Sequence, residues 1–251
     1  MATLFSDFGL TEANRRNTPA PEGSDGRKTA FVDTMGLSEE HPAPFPVMKA
    51  SADGAGPAPS SIRDLLEGAT DREITDKMLA EVPWLFGHDA DSYSSWRASA
   101  AQEQPLFAAE SLFLVGSSAF GFSLSPLKAG RPFRRGALAR DRSDIDIAVV
   151  SEQLFFTAWS DLLASDRSGR LGGSFEDRIK IRSNVYFGCI SDRTLPRGTQ
   201  ASQVLRGFLA STAKQDPFRG HVVNARIYRR RPDLVEYHVQ SLRSLREKVI
   251  Q

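Results

Sequence analysis

The chain has one cysteine, Cys189, in 251 residues. No intrachain disulfide can form, so a reducing cytoplasm is the expected setting. Cys189 lies in an apolar stretch, where a buried, inert thiol is expected rather than a nucleophile. Histidine is scarce too. His41, His88, His221 and His238 stand far apart and give no zinc-type spacing. No apolar run is long enough to span a bilayer, and the N-terminus lacks the basic-then-apolar order of a secretory leader. Charge of one sign is also missing: 32 basic residues face 31 acidic ones, for a net +1. Net charge therefore argues for no nucleic-acid partner, and only local clusters can do so.

Proline, glycine and alanine are plentiful, and they are unevenly spread. Residues 1–58 are rich in them, as in Pro19-Ala20-Pro21-Glu22-Gly23-Ser24 and Ala52-Asp53-Gly54-Ala55-Gly56-Pro57. Such a stretch buries too little to offset chain ordering, so it reads as a flexible tail ahead of a folded domain at 59–251. Short apolar pieces interrupt the tail: Leu4-Phe5, Phe8, Phe31-Val32 and Phe45-Pro46-Val47-Met48. They leave open a second reading, an arm that docks on the domain or on a partner protein.

The folded part opens with Thr70-Asp71-Arg72-Glu73, a capping box, followed by Ile74, Met78, Leu79 and Val82 at helical spacing. A helix is predicted from Asp91 to Gln104, stopped by Pro105. A strand follows at 111–115. Ser151 caps a predicted helix whose inward face is Leu154, Phe155, Ala158, Trp159, Leu162 and Leu163. Asn184–Ile190 reads as a strand, 200–213 as a helix, and Val222–Tyr228 as another strand. Pro232 opens a final helix with Leu234, Val235, His238, Val239, Leu242, Leu245 and Val249 on its apolar face. This alternation argues for a mixed α/β (α+β) domain.

Chemistry concentrates in Leu112–Val150. Leu112-Phe113-Leu114-Val115 runs into Gly116-Ser117-Ser118, and Ser143-Asp144-Ile145-Asp146 opens a second apolar strand. Residues two apart on a strand share a face, so Asp144 and Asp146 point together while Ile145 and Ile147 point into a core. Paired carboxylates repel unless a cation lies between them, and magnesium is commonly held by one or two carboxylates plus substrate phosphates. Gly116 permits a sharp turn and close approach of a ligand, and Ser117 and Ser118 offer hydroxyls and N–H groups at a helix start.

An apolar strand running into Gly-Ser, then a strand bearing Asp-x-Asp, resembles the signature of the DNA polymerase beta-like nucleotidyltransferase superfamily. The resemblance covers about Ser60 to Ile190. It implies a small mixed β-sheet flanked by helices. It also implies transfer of a nucleoside monophosphate from ATP or another nucleoside triphosphate to a hydroxyl on RNA, protein or a small molecule. Mg2+ or Mn2+ would sit on Asp144 and Asp146, and the triphosphate on Gly116, Ser117 and Ser118. Compact members of that superfamily include antibiotic-modifying enzymes, toxin-like enzymes and bacterial defence proteins, and nothing in the sequence chooses the acceptor.

The chain departs from that pattern twice. The superfamily usually places a third carboxylate on a later strand, and Asn184–Ile190 contains no acid. Asp192 is the candidate third metal ligand by strand parity, against the plainer reading of a surface aspartate in a turn. Glu176 and Asp177 are further options. The link between the motifs is also long and basic, with Lys128, Arg131, Arg134, Arg135, Arg140 and Arg142. The loop 128–142 can clamp a triphosphate or guide an RNA or protein acceptor, or it can simply be solvated. Lys180 and Arg182 can reach a phosphate if the Asn184 strand neighbours the aspartate strand. A further basic cluster, Arg226, Arg229, Arg230 and Arg231, precedes the last helix. Three functions stay in contention: an active magnesium-dependent transferase, a degenerate relative that binds nucleotide, nucleic acid or a partner without turnover, and a basic nucleic-acid binder.

Overall fold

Short polar motifs at helix starts set out the helical frame. In the computed structural model, which describes residues 61–134 and 142–250, Thr70 and Glu73 form the reciprocal cap. The Glu73 N–H donates to Thr70 Oγ1 at 3.2 Å, and the Thr70 N–H donates to Glu73 Oε2 at 2.8 Å. That cap starts α2 (Asp71–Ala80), after a short α1 (Ile62–Gly68). Asp89 caps α3 (Ala90–Glu103) by accepting from the Ser92 N–H at 2.9 Å. Ser151 caps α5 (Glu152–Arg167) as its position predicts, accepting from the Leu154 N–H at 3.2 Å. The remaining helices are α4 (Ser117–Phe120), α6 (Phe175–Tyr186), α7 (Gln200–Thr212) and α8 (Arg231–Val249). The expected tail at 1–58 lies outside the described residues.

One predicted element changes type. Asn184–Ile190 is not a strand: α6 runs through Tyr186, and β3 is only Cys189–Ser191. The reason is a second capping box, in which Ser174 Oγ accepts from the Asp177 N–H and the Asp177 carboxylate accepts from the Ser174 N–H. It nucleates a helix that overrides the β-branched and aromatic run. Glu176 and Asp177 lie in the first turn of α6, where carboxylates suit the helix dipole. Arg182 points to Asp166 at 3.7 Å, so it is engaged with α5.

The mixed sheet has the order β1-β2-β4-β3, with β1 at Leu112–Val115, β2 at Ile145–Val150 and β4 at Val223–Tyr228. β1 is antiparallel to β2, β4 is parallel to β2, and β3 is antiparallel to β4. The fold is therefore α+β, with helices covering both faces. On one face Leu112, Leu114, Ile145, Ile147, Val149, Ala225 and Ile227 pack with Trp96 of α3, Phe155 and Leu162 of α5, and Leu205 and Phe208 of α7. On the other, Phe113, Val115, Ala148, Cys189 and Tyr228 pack with Leu66, Ile74, Met78, Leu234, Leu242 and Leu245. Trp159 and Leu163, expected inward, are each 39% exposed at the flank of α5. Arg246 of α8 ties this second layer together, donating to the carbonyls of Leu66 and Ala69 and to Asp71 Oδ1.

Candidate functional site

The antiparallel register of β1 and β2 sets Val115 opposite Asp146, so the residue after β1 arrives beside the aspartate strand. Gly116 turns there with φ +68°, and a Cβ built on it would lie 3.8 Å from Asp146 Oδ2. The Gly-Ser turn and the Asp-x-Asp pair thus meet at one edge of the sheet. Ser117 is partly exposed at the start of α4. Ser118 differs from expectation: its hydroxyl is buried and donates to the Val115 carbonyl at 2.9 Å, so it braces the turn rather than facing a ligand. A helix of one turn adds little dipole, and Gly116 and Ser117 are the residues of the three that stay partly exposed at the turn.

The two aspartates differ in setting. Asp144 precedes β2 and is exposed, and its Oδ2 accepts from Arg193 Nη2 at 3.2 Å. Asp146 lies within β2 and is half-buried. Burial pushes its carboxyl above the usual aspartate range, and the nearby Asp144 charge adds to this. The guanidiniums of Arg226 and Arg193 and a hydrogen bond from Asn224 oppose the rise. A cation arriving between the two carboxylates would relieve both the burial and the like-charge cost.

Parallel pairing of β2 with β4 puts Asn224 directly beside Asp146. This neighbour on the next strand is a neutral amide. Its Oδ1 accepts from Arg193 Nε at 3.1 Å and from Nη2 at 2.8 Å. One guanidinium therefore bridges Asp144 and Asn224. Asp192 does not join the pair. It starts a 3₁₀ turn (Asp192–Thr194) after β3, and its Oδ1 accepts from the Ala225 N–H at 3.4 Å. Burial raises its carboxyl against that hydrogen bond. Among the described residues no three carboxylate, histidine or cysteine side chains gather to hold a metal. The donor set suits one divalent ion on Asp144 and Asp146, its shell completed by substrate oxygens, better than two.

Arg226 sits one step further along the same face of β4, opposite Ala148. Its guanidinium lies over the Tyr237 ring, 5.1 Å from the centroid, and bonds the Tyr237 hydroxyl. It is a fixed positive charge behind Asp146. It also faces His238, whose imidazole is held down to about 3 by burial and by the Arg226 charge. Cys189 is fully buried beside them, and burial pushes its thiol up, consistent with an inert thiol. Arg229 and Arg230 both pair with Asp233, so that basic cluster is largely spent on the start of α8.

The basic link is ordered at its base. Arg134 and Ser143 exchange two 3.0 Å hydrogen bonds, closing the segment immediately before Asp144. Phe133 plugs into the core at 1% exposure, and Arg142 bonds the Gly220 carbonyl. Arg135, Arg140 and Asp141 lie outside the described residues. Arg193 and Asn224 are residues the sequence reading missed at the site, and Arg226 was read only as part of a basic cluster before the last helix. The strand carrying Asn224 was legible, but its register against Asp146 was not.

No family model, curated protein or solved structure matches the chain. Among the described residues no helix is long and apolar enough to cross a membrane.

Proposed function

We propose that this is a nucleotidyltransferase-like protein that binds a nucleoside triphosphate with one magnesium or manganese ion and does not transfer the nucleotide. The observation that carries this reading is the row across the sheet edge. Gly116 flanks Asp146 on one side, and Asn224, held by Arg193, flanks it on the other. Gly116 and Ser117 would cradle phosphates, and Asp144 and Asp146 would hold the ion. Transfer further requires a group that takes the acceptor hydroxyl's proton. A carboxylate does this readily, a neutral amide does not, and a guanidinium stays charged at any working pH. The single buried cysteine fits a reducing compartment such as the cytoplasm.

Equilibrium binding of ATP, GTP, CTP and UTP, with magnesium and with EDTA, tests the reading. Magnesium-dependent binding is expected, lost in Asp144→Asn and Asp146→Asn, with no pyrophosphate released. Binding that ignores both magnesium and these substitutions would refute it. The presence of both aspartates at the start of β2 supports a second reading, an active transferase. Pyrophosphate release with an RNA, protein or small-molecule acceptor pool, abolished in Asp144→Ala, would establish that instead.

A further inference from the structure

A second site adjoins the first. The 3₁₀ turn after β3 and the loop that follows it lead into α7, and between them lies a cavity of about 420 Å³. Its apolar lining comes from Leu195, Leu205 and Leu209, of which the first two are buried. Its polar lining includes three arginines, Arg193, Arg197 and Arg206. Arg197 and Arg206 are exposed, and neither pairs with a carboxylate among the described residues. Among the described residues Asp192 is the one acid in the lining, and its Oδ1 is already taken by the Ala225 N–H at 3.4 Å and the Ser191 hydroxyl at 3.5 Å. Arg193 is common to both sites: it lines the cavity and also reaches Asp144 and Asn224.

We propose that this cavity binds a nucleoside phosphate in its own right, without a metal, beside the carboxylate site. The volume falls in the range of small-ligand sites, about 300–1,000 Å³. Three guanidinium forks suit a phosphate, which they can bond in pairs. The leucines offer an apolar surface to a base, and a guanidinium plane can stack on it. An inorganic anion would use the arginines and leave the leucines idle. A free mononucleotide and the phosphorylated end of a strand present the same chemistry here.

Titration calorimetry on the full chain tests this with AMP, the 5′-phosphorylated dinucleotide pApA and inorganic phosphate, each in EDTA. AMP or pApA is expected to bind without magnesium, more tightly than phosphate. The stronger of the two identifies a free nucleotide or a strand end as the natural form. Asp144→Asn removes magnesium-dependent ATP binding but should not weaken this binding, because it only releases Arg193 from its carboxylate partner. Arg197→Ala with Arg206→Ala should weaken it by at least about tenfold, and the paired Lys substitutions should restore part of it. Both arginines are exposed, so circular dichroism should report an unchanged fold. The proposal fails if the wild-type chain binds neither nucleotide, or binds phosphate equally well. It also fails if the double Ala variant retains the binding, or if Asp144→Asn abolishes it.

Discussion

Substituting His238 should flatten part of the acid limb of the stability curve. Among the described residues the His238 Nε2 is sealed from solvent and has no hydrogen-bond partner. It faces the Arg226 guanidinium, with the Tyr228 and Tyr237 rings against it. Burial, then the Arg226 charge, holds its imidazole down to about 3, against an ordinary value near 6.5. The folded-state value is depressed, so the unfolded chain binds this proton first as pH falls. The stability contribution is complete above about pH 6.5 and is lost steadily between there and pH 3. Each pH unit in that window costs about 1.4 kcal/mol, so by pH 4 the loss is about 3 kcal/mol as an upper bound. In His238→Leu the unpartnered nitrogen is gone, and stability at pH 7 should be equal or slightly higher. Urea denaturation of both proteins at pH 7, 5.5 and 4 isolates the effect, because the carboxylates contribute equally to each and cancel in the difference. Parallel curves for the two proteins would refute the reasoning, as would an NMR titration placing the His238 imidazole near 6.5.

Gly116→Ala should cost about 1–3 kcal/mol in urea denaturation from backbone strain, since among the described residues the added Cβ meets only Asp146 Oδ2 at an ordinary 3.8 Å. A neutral result would mean the turn tolerates side chains. Arg246→Ala should cost about 2–4 kcal/mol, because it frees the Leu66 and Ala69 carbonyls and leaves the largely buried Asp71 without its partner. A loss under about 1 kcal/mol would show that α8 is held by its apolar face alone. Asn224→Asp should destabilise the metal-free protein by about 1–2 kcal/mol through like-charge contact with Asp146. Magnesium should then raise its Tm by more than it raises that of the wild type, and an unchanged magnesium response would show that Asn224 does not face the ion.

What was legible in the sequence was what is decided locally. Thr70 with Glu73, and Ser151 ahead of Leu154, specify helix starts through contacts three residues apart, and both form. Strand β2 was legible because Ile145, Ile147 and Val149 must be buried whatever surrounds them. The strand read at Asn184–Ile190 failed because a local signal, the Ser174–Asp177 cap, competed with apolar composition and won. Asn224 was invisible as a site residue for a different reason. Its importance comes from parallel register against Asp146, and that pairing joins strands 78 residues apart through α5, α6, β3 and α7. No local pattern carries it. Arg193 followed Asp192 in what read as a surface turn, and only the packing of that turn against β4 brings its guanidinium to Asp144.

In the proposed function, Arg193 and Asn224 weigh against transfer in unequal degree. The Arg193–Asp144 pair is exposed, with side chains 62% and 49% accessible, so it is worth little, about 0–1 kcal/mol. An ion arriving with a triphosphate brings several phosphate oxygens that are better partners for that guanidinium than one solvated carboxylate. Arg193 can therefore leave Asp144 at small cost and become a phosphate ligand. Asn224 has no such alternative. It is 9% exposed, fixed by the β2–β4 register, and neutral in every protonation state it can reach. On the proposed reading, the barrier to transfer lies in the missing charge beside Asp146 rather than in the cation that bridges Asp144 and Asn224. On the same reading, the arginine that pairs with Asp144 in the metal-free protein is available to hold a nucleotide once the site is filled.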